Sequence, residues 1–313
     1  MLPNHHEQTD LHAKPMSLYA RLLQWLMFRT QIKNELAQWF TQPSINQQPA
    51  PFPTYFKTIC RHAYTCETRQ HRNRTVWVLH PTKAPTQKVV FYLHGGAYLY
   101  NLSTYHWRFL SRLCHHTQAR VVVVDYPLTP TACCDEVYDF IESLYDEVTV
   151  HDQADHISIM GDSAGGALAL GLAQQLRNKH KKQPTHIILF APWLDATLTH
   201  PNIEQLEAKD PLLDKVALVK AGEAYKGHLD VKDPRVSPLY GDMTQLGRLS
   251  IFIGTHDLLW ADCQKLHQHL QQQNIQHNYF EYLHMFHVWM MVVSLPESRR
   301  AMRQVVDLVL DHT

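Results

Sequence analysis

The stretch HISIMGDSAGGALALGLAQQLRNKH, residues 156–180, decides the fold because it joins two different patterns around one serine. Its first part, HISIMG, is short and largely apolar, which predicts a buried strand. The part that begins at Ala164 has the length and composition of a helix. Ser163 therefore lies in a sharp turn between strand and helix, with Gly161 and Gly165 two residues away on either side.

This context is typical of the G-x-S-x-G nucleophile elbow, in which a serine occupies strained backbone angles. Small residues at 161 and 165 allow the strand and the helix to approach closely. The hydroxyl of Ser163 then stands at a helix N-terminus, whose partial positive charge favours a developing anion. The alternative is a serine that only caps the helix beside incidental glycines. The strand before and the helix after it favour the elbow.

Other short apolar runs recur along the chain, separated by stretches long enough for helices. Several are apolar at every residue, which is typical of strands buried on both faces. The sequence therefore predicts an α/β fold with a mostly parallel central sheet flanked by helices. The first two runs are predicted to be adjacent strands. The runs are TVWVLH (75–80), KVVFYLH (88–94), RVVVVDY (120–126), THIILFAPW (185–193), RLSIFIG (248–254) and HNYFEYL (277–283).

The predicted domain organisation places N-terminal helices in residues 1–55 and a catalytic domain in residues 56–313, with a cap insertion at about 194–247. Apolar residues at helical spacing in 15–40 predict one or two amphipathic helices that pack on the body of the protein. A membrane-surface helix is the alternative, but it would carry more lysine and arginine. Four prolines in 43–53 predict a linker.

Composition narrows the function classes and the compartment. Lysine plus arginine and aspartate plus glutamate each number 29, and this zero net charge argues against a nucleic-acid partner. The six cysteines form no C-x-x-C pair, which favours free thiols in a reducing compartment. The polar start does not resemble a signal peptide, and the apolar run 22–28 is too short to span a bilayer. We therefore expect a cytoplasmic protein without stable membrane insertion.

A glycine-containing loop offers the donors that an activated serine needs. YLHGGAY, residues 92–98, directly follows a predicted strand, and its backbone N–H groups can hold an oxyanion. The predicted donors are Gly95, Gly96 and Ala97 together with Ala164, which follows the serine. An ordinary tight turn is the alternative, and the serine motif downstream disfavours it.

The remaining partners of the serine are an acid and a base, which this kind of elbow orders as serine, acid, histidine. Asp257 follows an apolar strand and is preferred over Asp262, which fits the start of the next helix. His284 and His287 both follow the last strand, and the residues alone leave the choice of base open.

With these motifs in order, the chain resembles the hormone-sensitive-lipase-like group of α/β-hydrolases from about residue 75 to the end. The resemblance implies that His287 is the base, because Met285 aligns with the methionine of that family's G-M-x-H block. It also implies a helical cap built partly from the N-terminus, and it allows a homodimer. The blocks that carry it are HGGAY, GDSAGG, KDPLLD (209–214), DPRVSPL (233–239), GTHDLL (254–259) and YLHMFHVW (282–289).

The resemblance implies a serine carboxylesterase that hydrolyses short- to medium-chain acyl esters through Ser163, His287 and Asp257, without metal or organic cofactor. The ligand would be a small-molecule ester. Ala97 departs from the family's third glycine, and its N–H can still serve if its φ is not left-handed. That departure puts bulky alcohol groups in doubt. Rival functions are an amidase or peptidase on the same fold and a catalytically silent ligand-binding relative.

Overall fold

A single sheet organises the computed structural model, which describes residues 9–12, 15–41, 64–83, 85–151 and 156–311. Within these residues the sheet has nine strands in the order β1-β9-β8-β7-β6-β4-β5-β3-β2. All neighbours pair in parallel except β2 with β3 and β3 with β5. The strands are β1 Thr9–His12, β2 Tyr64–His71, β3 Arg74–Pro81, β4 Lys88–Leu93, β5 Arg120–Val124, β6 His156–Asp162, β7 His186–Phe190, β8 Arg248–Gly254 and β9 His277–Tyr282.

The continuous apolar runs are buried on both faces of the sheet, as predicted. In β4, Val89, Phe91 and Leu93 belong to one core, whereas Val90 and Tyr92 belong to the core on the opposite face. Successive side chains of a strand point to opposite faces, so only a sheet covered on both sides buries all of them.

Helices cover both faces. Helices α4, α5 and α8 contribute to one core, and α3 and α9 contribute to the other. The helices are α1 Leu18–Thr30, α2 Ile32–Thr41, α3 Thr104–Thr117, α4 Cys134–His151, α5 Ala164–Asn178, α6 Ile203–Glu207, α7 Lys215–Tyr225, α8 Trp260–Gln272 and α9 Pro296–Leu310. Each described helix is too short or too polar to cross a bilayer.

The predicted adjacency of the first two strands is wrong. The runs 75–80 and 88–94 form β3 and β4, but β5 lies between them and pairs with both. Strands β1 and β2 were not predicted. The sequence of β2, YTCETRQH, is mostly polar and exposed, so it lacks the apolar pattern by which the other strands are identified.

The N-terminal region forms the two predicted helices, α1 and α2. Helix α2 packs against α7, which lies inside the predicted cap insertion. The ammonium of Lys33 donates to the carbonyl oxygens of Glu207 and Asp210, at 2.8 and 3.4 Å. These contacts agree with a cap built from both segments, which stays a prediction, and the predicted linker 43–53 lies outside the described residues.

Candidate active site

The elbow between β6 and α5 holds Ser163 in a strained conformation, with φ 53° and ψ −120°. Its side chain makes no helix-capping hydrogen bond, so it is free for another partner. A Cβ added at Gly161 would lie 2.1 Å from the carbonyl oxygen of Gly165, and one at Gly165 would lie 2.1 Å from that of Leu93. Strand, turn and helix are therefore too close for any residue but glycine at these two positions.

A hydrogen-bonded chain of three side chains runs inward from the serine. His287 Nε2 lies 3.0 Å from Ser163 Oγ, and His287 Nδ1 lies 2.8 Å from Asp257 Oδ2. The other carboxylate oxygen of Asp257 accepts the amide of Leu259 at 2.9 Å. All three side chains are buried. Burial alone would lower the pKa of His287, but the charge and hydrogen bond of Asp257 outweigh it and raise this pKa above its ordinary value.

A second buried carboxylate, Asp210, supports the loop that carries Asp257. Its Oδ1 accepts the amides of Leu212 and Leu213, and its Oδ2 accepts the amide of Leu258 at 2.8 Å. Burial and the nearby charge of Asp257 raise the pKa of Asp210 to about 6. Asp210 lies in the KDPLLD block, but the sequence does not indicate this role, because the partner residue Leu258 is 48 residues downstream.

The predicted oxyanion donors do not all have a free N–H. The amide of Gly95 donates to Asp162 Oδ1 at 2.9 Å, which removes Gly95 from the set of available donors. The amides of Gly96, Ala97 and Ala164 donate to no described residue. Ala164 is the first residue of α5, where helix geometry leaves the N–H without an intrahelical acceptor.

Ala97 has a left-handed backbone, with φ 53°, so the condition set from the sequence is not met, and its role as a donor stays a prediction. Gly96 before it and Tyr98 after it also have positive φ, at 124° and 62°. An L-residue in this region costs roughly 1–2 kcal/mol, a cost that packing can offset without moving the N–H. The packing is visible at Tyr98, whose ring stacks on Tyr225 at 3.6 Å and on Trp193 at 5.5 Å between centroids.

Asp162, the residue before the serine, joins the elbow to the glycine loop. Its carboxylate accepts the Tyr92 hydroxyl at 2.5 Å and the Gly95 amide, and it lies 3.3 Å from His106 Nε2. Burial would raise the pKa of Asp162, but the charge and hydrogen bond of His106 dominate and lower it. The ionised carboxylate therefore orders the turn of the neighbouring loop, a role that sequence reasoning missed.

The other histidines of the motifs have partners other than the serine. His94 is buried against the ring of Tyr126, with Nδ1 2.7 Å from the carbonyl oxygen of Gly95, and burial lowers its pKa to about 3. His284 Nδ1 lies 3.0 Å from His256 Nε2, not near the serine. The structure thus brings His287, and not His284, to Ser163.

Asp262, the rejected alternative acid, lies in the first turn of α8, as predicted. It is buried, and this burial together with the charge of Asp195 raises the pKa of Asp262 to about 7. No described hydrogen bond joins it to a histidine of the site.

A nucleophile elbow on a mostly parallel sheet, with a buried histidine and carboxylate behind the serine, defines the class of hydrolases with an activated serine. The family described as alpha/beta hydrolase fold matches residues 90–291. The chain belongs to this family, and the predicted fold class is confirmed.

Individual relatives agree with the family. The chain is 30% identical to an esterase of Acinetobacter venetianus over 229 residues, which cover 72% of this chain and 75% of the relative. It is 29% identical to an acetyl-hydrolase of Streptomyces hygroscopicus, over 68% of this chain and 72% of the relative. The solved structure of an esterase from the bacterial hormone-sensitive lipase family matches the fold with a TM-score of 0.75 at 21% identity, over 90% of this chain and 97% of that one.

Proposed function

We propose that this protein is a serine carboxylesterase that hydrolyses short- to medium-chain acyl esters. The observation that carries the proposal is the buried chain Ser163–His287–Asp257, with its two contacts of 3.0 and 2.8 Å, at a strained elbow. The names of the relatives, esterase and acetyl-hydrolase, support the same chemistry.

In the proposed reaction, His287 Nε2 takes the proton of the Ser163 hydroxyl as its oxygen attacks the ester carbonyl. Asp257 fixes the tautomer of the imidazole and stabilises the imidazolium that forms. The imidazolium then gives its proton to the departing alcohol. Water, activated by the same imidazole, attacks the acyl-enzyme and releases the acid.

The proposed oxyanion donors are the amides of Gly96, Ala97 and Ala164. Their N–H groups belong to backbone that is already held by packing and by the helix, so little reorganisation accompanies the reaction. Each such donor contributes about 3 kcal/mol to the stability of the transition state.

The test is hydrolysis of p-nitrophenyl esters from acetyl to dodecanoyl by the wild type and by Ser163→Ala, His287→Ala and His284→Ala. We expect turnover of the shorter chains, a loss of about 10⁴-fold or more in kcat for the first two variants, and little change for the third. His284→Ala is the matched control, because it removes a histidine of the same loop that does not contact the serine. An inactive His284→Ala beside an active His287→Ala would contradict the assignment of the base.

The rival functions give different outcomes in the same assay. An amidase or peptidase would cleave an amide matched to the best ester at a comparable rate. A catalytically silent relative would leave every ester intact and would bind a ligand instead.

A cytoplasmic location and a homodimer belong to this proposal. Four cysteines of the described part, Cys114, Cys133, Cys134 and Cys263, are free thiols, which supports a reducing compartment. The molar mass in solution tests the dimer.

A further inference from the structure

Helix α1 turns its more apolar face outward. Six large apolar side chains of this 13-residue helix are between 43% and 81% exposed. They are Leu18, Tyr19, Leu22, Trp25, Leu26 and Phe28. Soluble proteins rarely expose apolar side chains in such a contiguous set, and those that do use them for contact with another surface.

The inner face of α1 is less apolar than the outer face. The residues buried against the protein are Ala20 and Gln24, with Leu23 and Met27 half-buried beside them. A helix that only packed on the body would bury its more apolar face and expose its more polar face. The prediction of an ordinary packed helix is therefore incomplete, because the large apolar side chains of its outer face stay exposed.

A basic surface borders this face of α1 at the loop after β9. The Tyr19 hydroxyl lies 3.2 Å from the Ser294 hydroxyl. Arg299 donates to the carbonyl oxygen of Ser294 at 3.3 Å, and Arg112 donates to that of Val293 at 2.8 Å. Two guanidinium groups thus lie next to the segment that α1 touches.

These arginines stand on the rim of a groove of about 530 Å³ between α3 and α9. Its floor contains Met290, Met302 and Val306, and its rim contains Arg112, Arg299 and Arg303. One acidic residue, Asp307, also lines it. An apolar floor beneath several cations matches a ligand with a hydrocarbon chain and an anionic head.

We propose that the outer face of α1 and the adjacent groove dock this protein on an anionic lipid surface. Leucine, tryptophan and phenylalanine would enter the boundary between headgroups and acyl chains, as in interfacial helices. Helix α1 contains Arg21 and Arg29 and no acidic residue, so it carries the same sign of charge as the groove. The guanidinium of Arg29 lies 5.3 Å from the ring of Trp25, a pairing suited to a lipid interface.

The docking face is connected to the proposed active site. Gln24, on the inner side of α1, lies 2.9 Å from His256 Nδ1, and His256 precedes the proposed acid Asp257. Docking would therefore place the loop of the acid within one helix diameter of the lipid. The inference concerns binding alone and does not depend on the proposed hydrolysis.

Sedimentation with vesicles tests the proposal, with phosphatidylcholine alone compared with an equal mixture of phosphatidylcholine and phosphatidylglycerol. We expect the full chain to bind the mixed vesicles more tightly and to lose this preference in high salt. Leu22→Glu with Trp25→Glu should weaken binding at least about tenfold, and Arg299→Gln with Arg303→Gln should abolish most of the preference for phosphatidylglycerol. Hydrolysis of a soluble short-chain ester by Leu22→Glu should stay within about twofold of the wild type, which separates lost docking from lost folding.

The matched controls are Val150→Glu, at an apolar residue that is 72% exposed on α4, and Lys220→Gln on α7. Both should bind vesicles within about twofold of the wild type. Absence of wild-type binding to the mixed vesicles overturns the proposal. An equal loss of vesicle binding in the Val150→Glu control also overturns it. A wild-type dimer that Leu22→Glu dissociates overturns it as well, because a second copy of the chain would then cover the outer face of α1.

Discussion

Two hydrogen-bonded chains of side chains cross the same pair of loops, after β8 and after β9. Each chain contains one residue of the loop after β8 and one histidine of the loop after β9. The two residues of the first loop are adjacent in the sequence, and the two histidines of the second are three residues apart. The inner chain is buried and starts at a carboxylate, whereas the outer chain starts at an amide of α1 and ends at an exposed histidine. The two chains are Asp257–His287–Ser163 and Gln24–His256–His284.

The difference between the chains lies in the sign of the pKa shift of the central histidine. In the inner chain the charge of Asp257 raises the pKa of His287 despite its burial. In the outer chain burial and the neighbouring His284 lower the pKa of His256 to about 4. A histidine in a hydrogen-bonded chain therefore becomes a strong base only where a carboxylate faces it.

The largest effect is expected for a variant that gives the inner chain an amide in place of its carboxylate, so that it resembles the outer chain. Asp257→Asn keeps the shape of the acid but removes its charge and disfavours the required tautomer of His287. We expect kcat on the best soluble ester to fall by about 10³–10⁴-fold. The control is His256→Gln, which alters the outer chain in the same loop and should change kcat less than about threefold. Similar losses in both variants would contradict the separation of the two chains.

The pH dependence of activity sharpens the comparison further. His287 must be neutral to accept a proton, and its raised pKa keeps it protonated to a higher pH than an ordinary histidine. We therefore expect kcat/KM to fall about tenfold per pH unit below a pKa that lies above about 6.5. His256→Gln should leave this limb in place. If the acidic limb of the kcat/KM profile has a pKa at or below the ordinary histidine value, Asp257 does not raise the pKa of His287.

A smaller effect is expected on stability, and it belongs to the outer chain. His256 stays neutral in the folded protein down to about pH 4, whereas the unfolded chain binds a proton there near pH 6.5. The unfolded state thus binds more protons in this window, so the free energy of unfolding decreases as pH falls from about 6.5 to about 4.

We expect His256→Gln to remove part of this decrease, by about 1 kcal/mol because the side chain is half exposed. Urea unfolding at pH 7 and pH 5 measures it. His94 and His186 also have lowered pKa values and contribute to the wild-type decrease, so only the difference between wild type and variant reports on His256. If the free energy of unfolding decreases equally between pH 7 and pH 5 in wild type and variant, the outer chain does not hold His256 neutral.

The part of the site that can be predicted from the sequence is the part that depends on local patterns. The elbow around Ser163 is readable because strand, turn and helix follow one another directly in the chain. The choice between His284 and His287 is not local, because it depends on which ring reaches the elbow from a loop 124 residues downstream. Residues alone left it open, and only a family resemblance favoured His287.

The missed features are those made by tertiary contacts. The bond from Gly95 to Asp162 and the support of the acid loop by Asp210 join segments 67 and 48 residues apart. Strand β1 is four residues long and is defined by its pairing with β9, not by a pattern of its own. The left-handed φ of Ala97 likewise follows from packing around Tyr98, which composition does not report.

The carboxylate of Asp162 has a consequence for the dynamics of the site. It holds the amide of Gly95 in one loop, and its own backbone ends β6 directly before the elbow. Opening of either loop would break this hydrogen bond, so we expect the elbow and the glycine loop to open as one cooperative unit. In terms of hydrogen exchange, we expect the amide protons of Gly95 and Ser163 to have similar opening free energies, so that fluctuations of the site would remove the proposed nucleophile and oxyanion donors together.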